Sequence, residues 1–143
     1  MFIIIGGFEA NGGISFLADK LIQFTHGSLT AATMLILWGS GILSGIIDNI
    51  PYTATMAPLI AQVQHTLPYA GAGHHPLWWA LSLGACLGGN LTIIGAAANV
   101  IVSETAHTKG HPISFIKFMK YGALVTTVSL IISSIYLYIK YLR

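Results

Sequence analysis

Two polar interruptions, each inside sequence otherwise fit for lipid, constrain this chain more than anything else in it. One is Ser44-Gly45-Ile46-Ile47-Asp48-Asn49-Ile50-Pro51. The other is Gly88-Gly89-Asn90-Leu91-Thr92-Ile93-Ile94-Gly95. An aspartate held in hydrocarbon costs about 2.5–3.5 kcal/mol on an insertion scale. Opened backbone at that depth must be satisfied by protein or water. Paired broken helices with polar breaks are the sequence mark of an ion or substrate site in secondary transporters.

The composition leaves little room for another class. Only 7% of the 143 residues are charged and 55% are hydrophobic, against about 25% charged in a soluble domain. The expected fold is therefore all-α and integral to a membrane, taken here to be the cell membrane. A net charge of +2 with no basic run gives no footprint for nucleic acid. Cys86 is the only cysteine, so an internal disulfide or a cysteine metal cluster is excluded. In an apolar helix it reads as a small packing residue. No nucleophile–base arrangement is readable, so the chain is not expected to be an enzyme.

The organisation expected is one membrane domain over residues 1–143. Residues 1–26 read as the end of a helix, stopped by Glu9 and Gly12-Gly13, followed by a short amphipathic helix. That helix places Ile14, Leu17, Leu21 and Phe24 on one face and is too short to span, so it suits the membrane interface. Residues 27–63 read as a re-entrant hairpin that turns at Asp48–Pro51, because residues 52–63 are too few to cross alone. There Pro51 lacks a donor and Asn49 disfavours a helix interior. The Gly41–Gly45 spacing allows close backbone approach, which packing alone explains. After a polar loop at 64–76, residues 77–103 form a broken helix cut at Gly88-Gly89-Asn90. A second polar loop, 104–112, leads to the last transmembrane helix, 113–141, with Tyr136, Tyr138 and Tyr141 as an interfacial belt. Lys109, Lys117 and Lys120 on one side balance Lys20, Lys140 and Arg143 on the other, so the charge rule leaves orientation open.

The candidate chemistry lies at the breaks. All six histidines fall in loops or at helix ends, including the His74-His75 pair, which excludes a haem held inside a bundle. Asp48 is the one acid within an apolar stretch. A carboxylate in such a place can exchange a proton for a cation; the plainer role is a helix cap in the headgroup region. Ser44 lies four residues before Asp48 and shares its face if the helix continues. Asn49 and Thr53 add oxygens beyond the break, and a shell of this kind suits a hard cation such as sodium. Asn90 lies on the second break, and Thr92, Gly95 and Asn99 follow helical spacing on one face. The amide end of a helix after that break also suits an anion. Glu9 and Glu104 read as boundary charges.

The two break segments, with residues 77–99 around the second, resemble the C-terminal part of an ion-transporter superfamily permease. The branch they resemble is that of arsenite permeases and NhaD-type sodium–proton antiporters, related to citrate-transporter-like carriers. Gly110-His111-Pro112 and the tyrosine-rich last helix share the resemblance. It implies an inverted-repeat transporter with a hairpin and a broken helix in each repeat. By motif, Asp48 and Asn49 then belong to a hairpin tip, and Asn90, Thr92 and Asn99 to the broken helix, with Gly45, Pro51, Gly88, Gly89 and Gly95 as the breaking residues. The chain departs from that pattern in holding one incomplete repeat, so half of the site must come from the missing repeat, in the same or another chain. A fragment of a longer product is the expectation. The expected partners are lipid and that repeat, with self-association open; no cofactor is expected beyond a bound sodium ion. The function expected is sodium–proton antiport. An arsenite or dicarboxylate permease and a non-transporting membrane assembly subunit are the alternatives.

Overall fold

The structure, a computed structural model, describes residues 6–7, 10–67 and 75–143. The readings made for residues 1–5, Phe8, Glu9 and residues 68–74 of the polar loop, His74 among them, lie outside the described residues. Among those described, the ordered elements are all helical. They are α1 (Gly13–Thr25), α2 (Leu29–Ser44), α3 (Asn49–Gln64), α4 (Pro76–Gly88), a 3₁₀ turn (Ile93–Gly95), α5 (Ala97–Thr108) and α6 (Phe115–Leu137), which runs on into a π turn (Tyr138–Leu142).

Local chemistry sets the helix starts. Ser28 caps α2 by accepting from the Ala31 amide at 3.4 Å. Asp48 caps α3 by accepting from the Ile50 amide at 3.4 Å. Pro76 opens α4, where a missing donor costs nothing. At the other end of α1, His26 turns the chain with a left-handed backbone, φ 49°.

Only the helix Phe115–Leu142 is long and apolar enough to cross a membrane by length and composition among the described residues. Its 28 residues reach about 42 Å, against a hydrocarbon core of about 30 Å. α2 and α3 have 16 residues each, about 24 Å. The Tyr52 hydroxyl donates to Ser40 Oγ at 3.1 Å. These two residues are equidistant in sequence from Ile46, so the chain reverses between α2 and α3. At the open end of that reversal the Gln62 amide donates to Ser15 Oγ at 3.3 Å. The first turn of α1 therefore meets the end of α3, while its last residue lies just before α2. α1 lies across the open end.

α4 is the central helix and packs on α2, α3 and α6. Leu37, Ile60, Val63, Leu77, Leu81, Leu130 and Leu137 are among the large residues buried in the core. Trp38 and Trp78 each spend their indole N–H inside the chain, on Ser134 at 3.1 Å and Gln64 at 2.8 Å.

Four expectations are corrected. The first break lies at residues 45–48 and not at 48–51. Asn49 and Pro51 belong to the first turn of α3, where backbone donors have no partner in any case and proline is tolerated. The face shared by Ser44 and Asp48 does not exist, because α2 ends at Ser44; Ser44 is fully buried and Asp48 half-buried. Residues 104–108, read as loop, are the last part of α5. Cys86, read as a packing residue, is exposed.

Candidate functional site

The two breaks meet. The Thr92 hydroxyl donates to the carbonyl of Gly45 at 2.5 Å, across the gap between the end of α2 and the unwound segment after α4. One turn earlier, the Ser44 hydroxyl donates to the Ala85 carbonyl at 2.7 Å. The Thr126 hydroxyl of α6 reaches the Leu87 carbonyl at 3.3 Å. Three hydroxyls thus reach carbonyls at the helix ends and breaks. Those of Ala85 and Leu87 also accept from the Gly89 and Asn90 amides, while the Gly45 carbonyl takes the Thr92 hydroxyl where lipid offers no donor.

The second break is closed on itself by one side chain. The Asn99 amide donates to the carbonyls of Gly89 at 2.9 Å and Thr92 at 3.0 Å. Thr92 Oγ1 also accepts from the Gly95 amide at 3.0 Å. Thr92, Gly95 and Asn99 therefore come together, but not on a helix face as their spacing implied. Thr92 and Ala96 are extended (φ −131° and −150°), and the chain between them is a single 3₁₀ turn. Gly95 lies where three segments converge. A Cβ there would stand 2.7 Å from the Gly89 oxygen and 3.0 Å from the Gly45 oxygen.

Of the residues singled out in the sequence, Ser44, Gly45, Gly88, Gly89, Thr92, Gly95 and Asn99 form this junction. Asn49 borders it, its Nδ2 3.5 Å from the position of a Cβ on Gly89. With Thr53 it also lines an outward groove of about 430 Å3 shared with Ile50, Ala54, Ala57 and Cys86. Asp48 stays at the cap of α3 and Asn90 is exposed beside the turn. Pro51 is not part of the break.

The arrangement divides the polar groups in two. Inside the junction the hydroxyls of Ser44 and Thr92 and the amide of Asn99 hold backbone, so these residues are staples before they are ligands. Facing outward are the Asp48 carboxylate, the Asn49 and Asn90 amides and the Thr53 hydroxyl. Sequence reading missed the stapling role, although Thr92 placed three residues before Gly95 is a recognisable side-chain turn. It also missed Cys86 on the groove.

Asn99→Ala tests the staple. It leaves the Gly89 carbonyl without its side-chain donor, at about 1–3 kcal/mol when buried, while the Thr92 carbonyl keeps the Gly95 amide. Hydrogen exchange over residues 89–99 should accelerate while α2 and α6 keep their protection. Unchanged exchange there would remove Asn99 from this role.

Comparison with known proteins follows the same lines. The sequence profile of the citrate transporter family matches residues 1–84. A protein named "uncharacterized transporter" in Mycobacterium tuberculosis is 46% identical over 141 residues, covering 99% of this chain and 33% of that relative. The "46 kDa membrane protein" of Mycobacterium leprae is 41% identical over 143 residues, with the same coverages. The P protein of Homo sapiens is 42% identical over 113 residues, 79% of this chain and 13% of that relative. The chain thus spans about a third of the length of the bacterial relatives. No solved structure matches it.

Proposed function

The chain belongs to the citrate transporter family, and from that premise we propose that it supplies one wall of the ion site of a secondary active transporter. Its relatives are named transporters, and we read the chain as one part of a longer integral membrane protein acting in the cell membrane. The observation that carries the reading is the Thr92–Gly45 bond, which joins the two helix breaks, with Asn49 at the edge of the junction and on an outward groove with Thr53. Polar breaks are kept where they bind something. A carboxylate among neutral oxygens favours a cation and can exchange it for a proton. The cargo proposed is sodium, moved against protons, as the arsenite-permease and NhaD-type branch implies. The rest of the longer protein supplies the opposite wall.

A second reading, transport of an organic anion, is favoured by the citrate description of the family and by the first-turn amides of α3 and α5. One experiment separates the two. The longer protein is reconstituted in vesicles, and proton movement driven by a sodium gradient is measured beside uptake of labelled citrate. Sodium-driven proton movement without citrate is the expected result. Citrate uptake with no sodium-driven proton movement would transfer the assignment to the anion. Neither activity would leave the assembly-subunit role.

A further inference from the structure

α1, α2 and α3 enclose a second groove, of about 450 Å3, which the ion site does not use. Leu17, Leu21 and Phe24 of α1 roof it, and Leu35 and Leu43 of α2 and Met56 of α3 wall it. The Ser40–Tyr52 pair closes its deep end. It is open sideways: Phe24 is 78% exposed and Leu43 46%. Among the described residues, Lys20 is the only charged side chain that lines it.

The position of α1 gives the groove a direction. α1 crosses the open end of the α2–α3 reversal, and a short amphipathic helix there would rest in the membrane interface. The groove therefore runs from an ammonium at headgroup level to an apolar trough at hydrocarbon depth. Water has no partners in such a trough, and an aliphatic chain fills it. At the mouth, an ammonium with an apolar floor attracts a phosphate. The geometry points to an anionic phospholipid as the resident of this groove, with one acyl chain between α1 and the hairpin and its phosphate on Lys20. This assignment is independent of the transported ion.

Gly39 makes it testable. It lines the groove, and a Cβ added there meets nothing within 4 Å. Gly39→Leu projects a branched side chain into the trough from a Cβ position that meets no neighbour, and leucine is a better helix former than glycine. The longer protein is reconstituted in a mixture of phosphatidylcholine and phosphatidylglycerol, extracted mildly, and its retained lipid identified by native mass spectrometry. The unaltered protein should keep phosphatidylglycerol about fivefold over phosphatidylcholine, the preference expected of one ammonium at an anionic surface. Lys20→Gln should remove the preference, and Gly39→Leu should remove the lipid. A phosphatidylglycerol carrying a photoreactive tail, applied to the unaltered protein, should label residues 35–43 and 52–59. This arm decides the matter if Gly39→Leu fails to fold. Equal retention of both lipids, or unchanged retention in folded Gly39→Leu, would overturn the assignment. So would absence of tail labelling, or cross-linking of Gly39→Cys to protein, which would give the groove to a second copy or to another part of the protein.

Discussion

Gly88→Ala should destabilise this fold severely. A methyl group at Gly88 would fall onto the carbonyl oxygen of Gly41 and 2.7 Å from its Cα. Both are backbone atoms, so no rotamer change relieves the contact. α2 and α4 would have to separate. That movement would also pull on the Ser44–Ala85 and Thr92–Gly45 hydrogen bonds, which hold the two helices' ends together. Overpacking typically costs about 1–3 kcal/mol, and each lost hydrogen bond about 1 kcal/mol more. The sum is a large fraction of a stability of about 5–15 kcal/mol. Thermal melting of the purified longer protein, followed by size-exclusion chromatography, is the measurement. A melt equal to the unaltered protein's would show that the helices cross elsewhere. Gly39→Ala, in open space, is the matched control and should melt at or above the unaltered protein.

Asp48→Asn should cost the longer protein most of its sodium-driven proton movement, at least about tenfold, and flatten its dependence on pH. Asparagine caps a helix about as well as aspartate, so the first turn of α3 and the Ile50 contact survive while the charge is lost. Insertion and melting should hold. Asn90→Ala removes one neutral ligand among several and should weaken transport less. Glu104→Ala, on an exposed face of α5, should change nothing measurable. Unaltered exchange from the Asp48→Asn protein would place the coupling group in the rest of the longer protein. Loss of exchange together with loss of membrane expression would reduce Asp48 to a cap.

Both breaks were legible because Gly, Pro, Asp and Asn are conspicuous in apolar sequence. Their geometry was not. Asp48 and Pro51 look like the centre of a break, yet both are well suited to the start of a helix, and the chain uses them there. Ser44, Thr92 and Asn99 look like ligands because their side chains carry oxygen. What they hold are the carbonyls of Ala85, Gly45, Gly89 and Thr92. Two of those bonds join residues more than 40 positions apart, and no local pattern discloses such partners. The helical spacing of Thr92 and Asn99 misled for a related reason, since extended backbone at Thr92 and Ala96 cancels the period. The glycine spacing at 41–45 was read correctly as packing, but sequence could not say that Gly88 lies across it.

The stapled junction also bears on how cargo would be exposed to one side of a membrane and then to the other. A broken helix invites the picture of a hinge, bending where the backbone is interrupted. Here the interruption is where the chain is most densely cross-braced, by Ser44, Thr92, Asn99 and, from α6, Thr126. α2, α4 and the turn between α4 and α5 then move as one solid block. In the proposed transporter, alternating exposure would arise at the outer faces of that block, such as α5, none of whose residues is buried in this chain. The half-site would be relocated whole, its shape unchanged, rather than opened and shut.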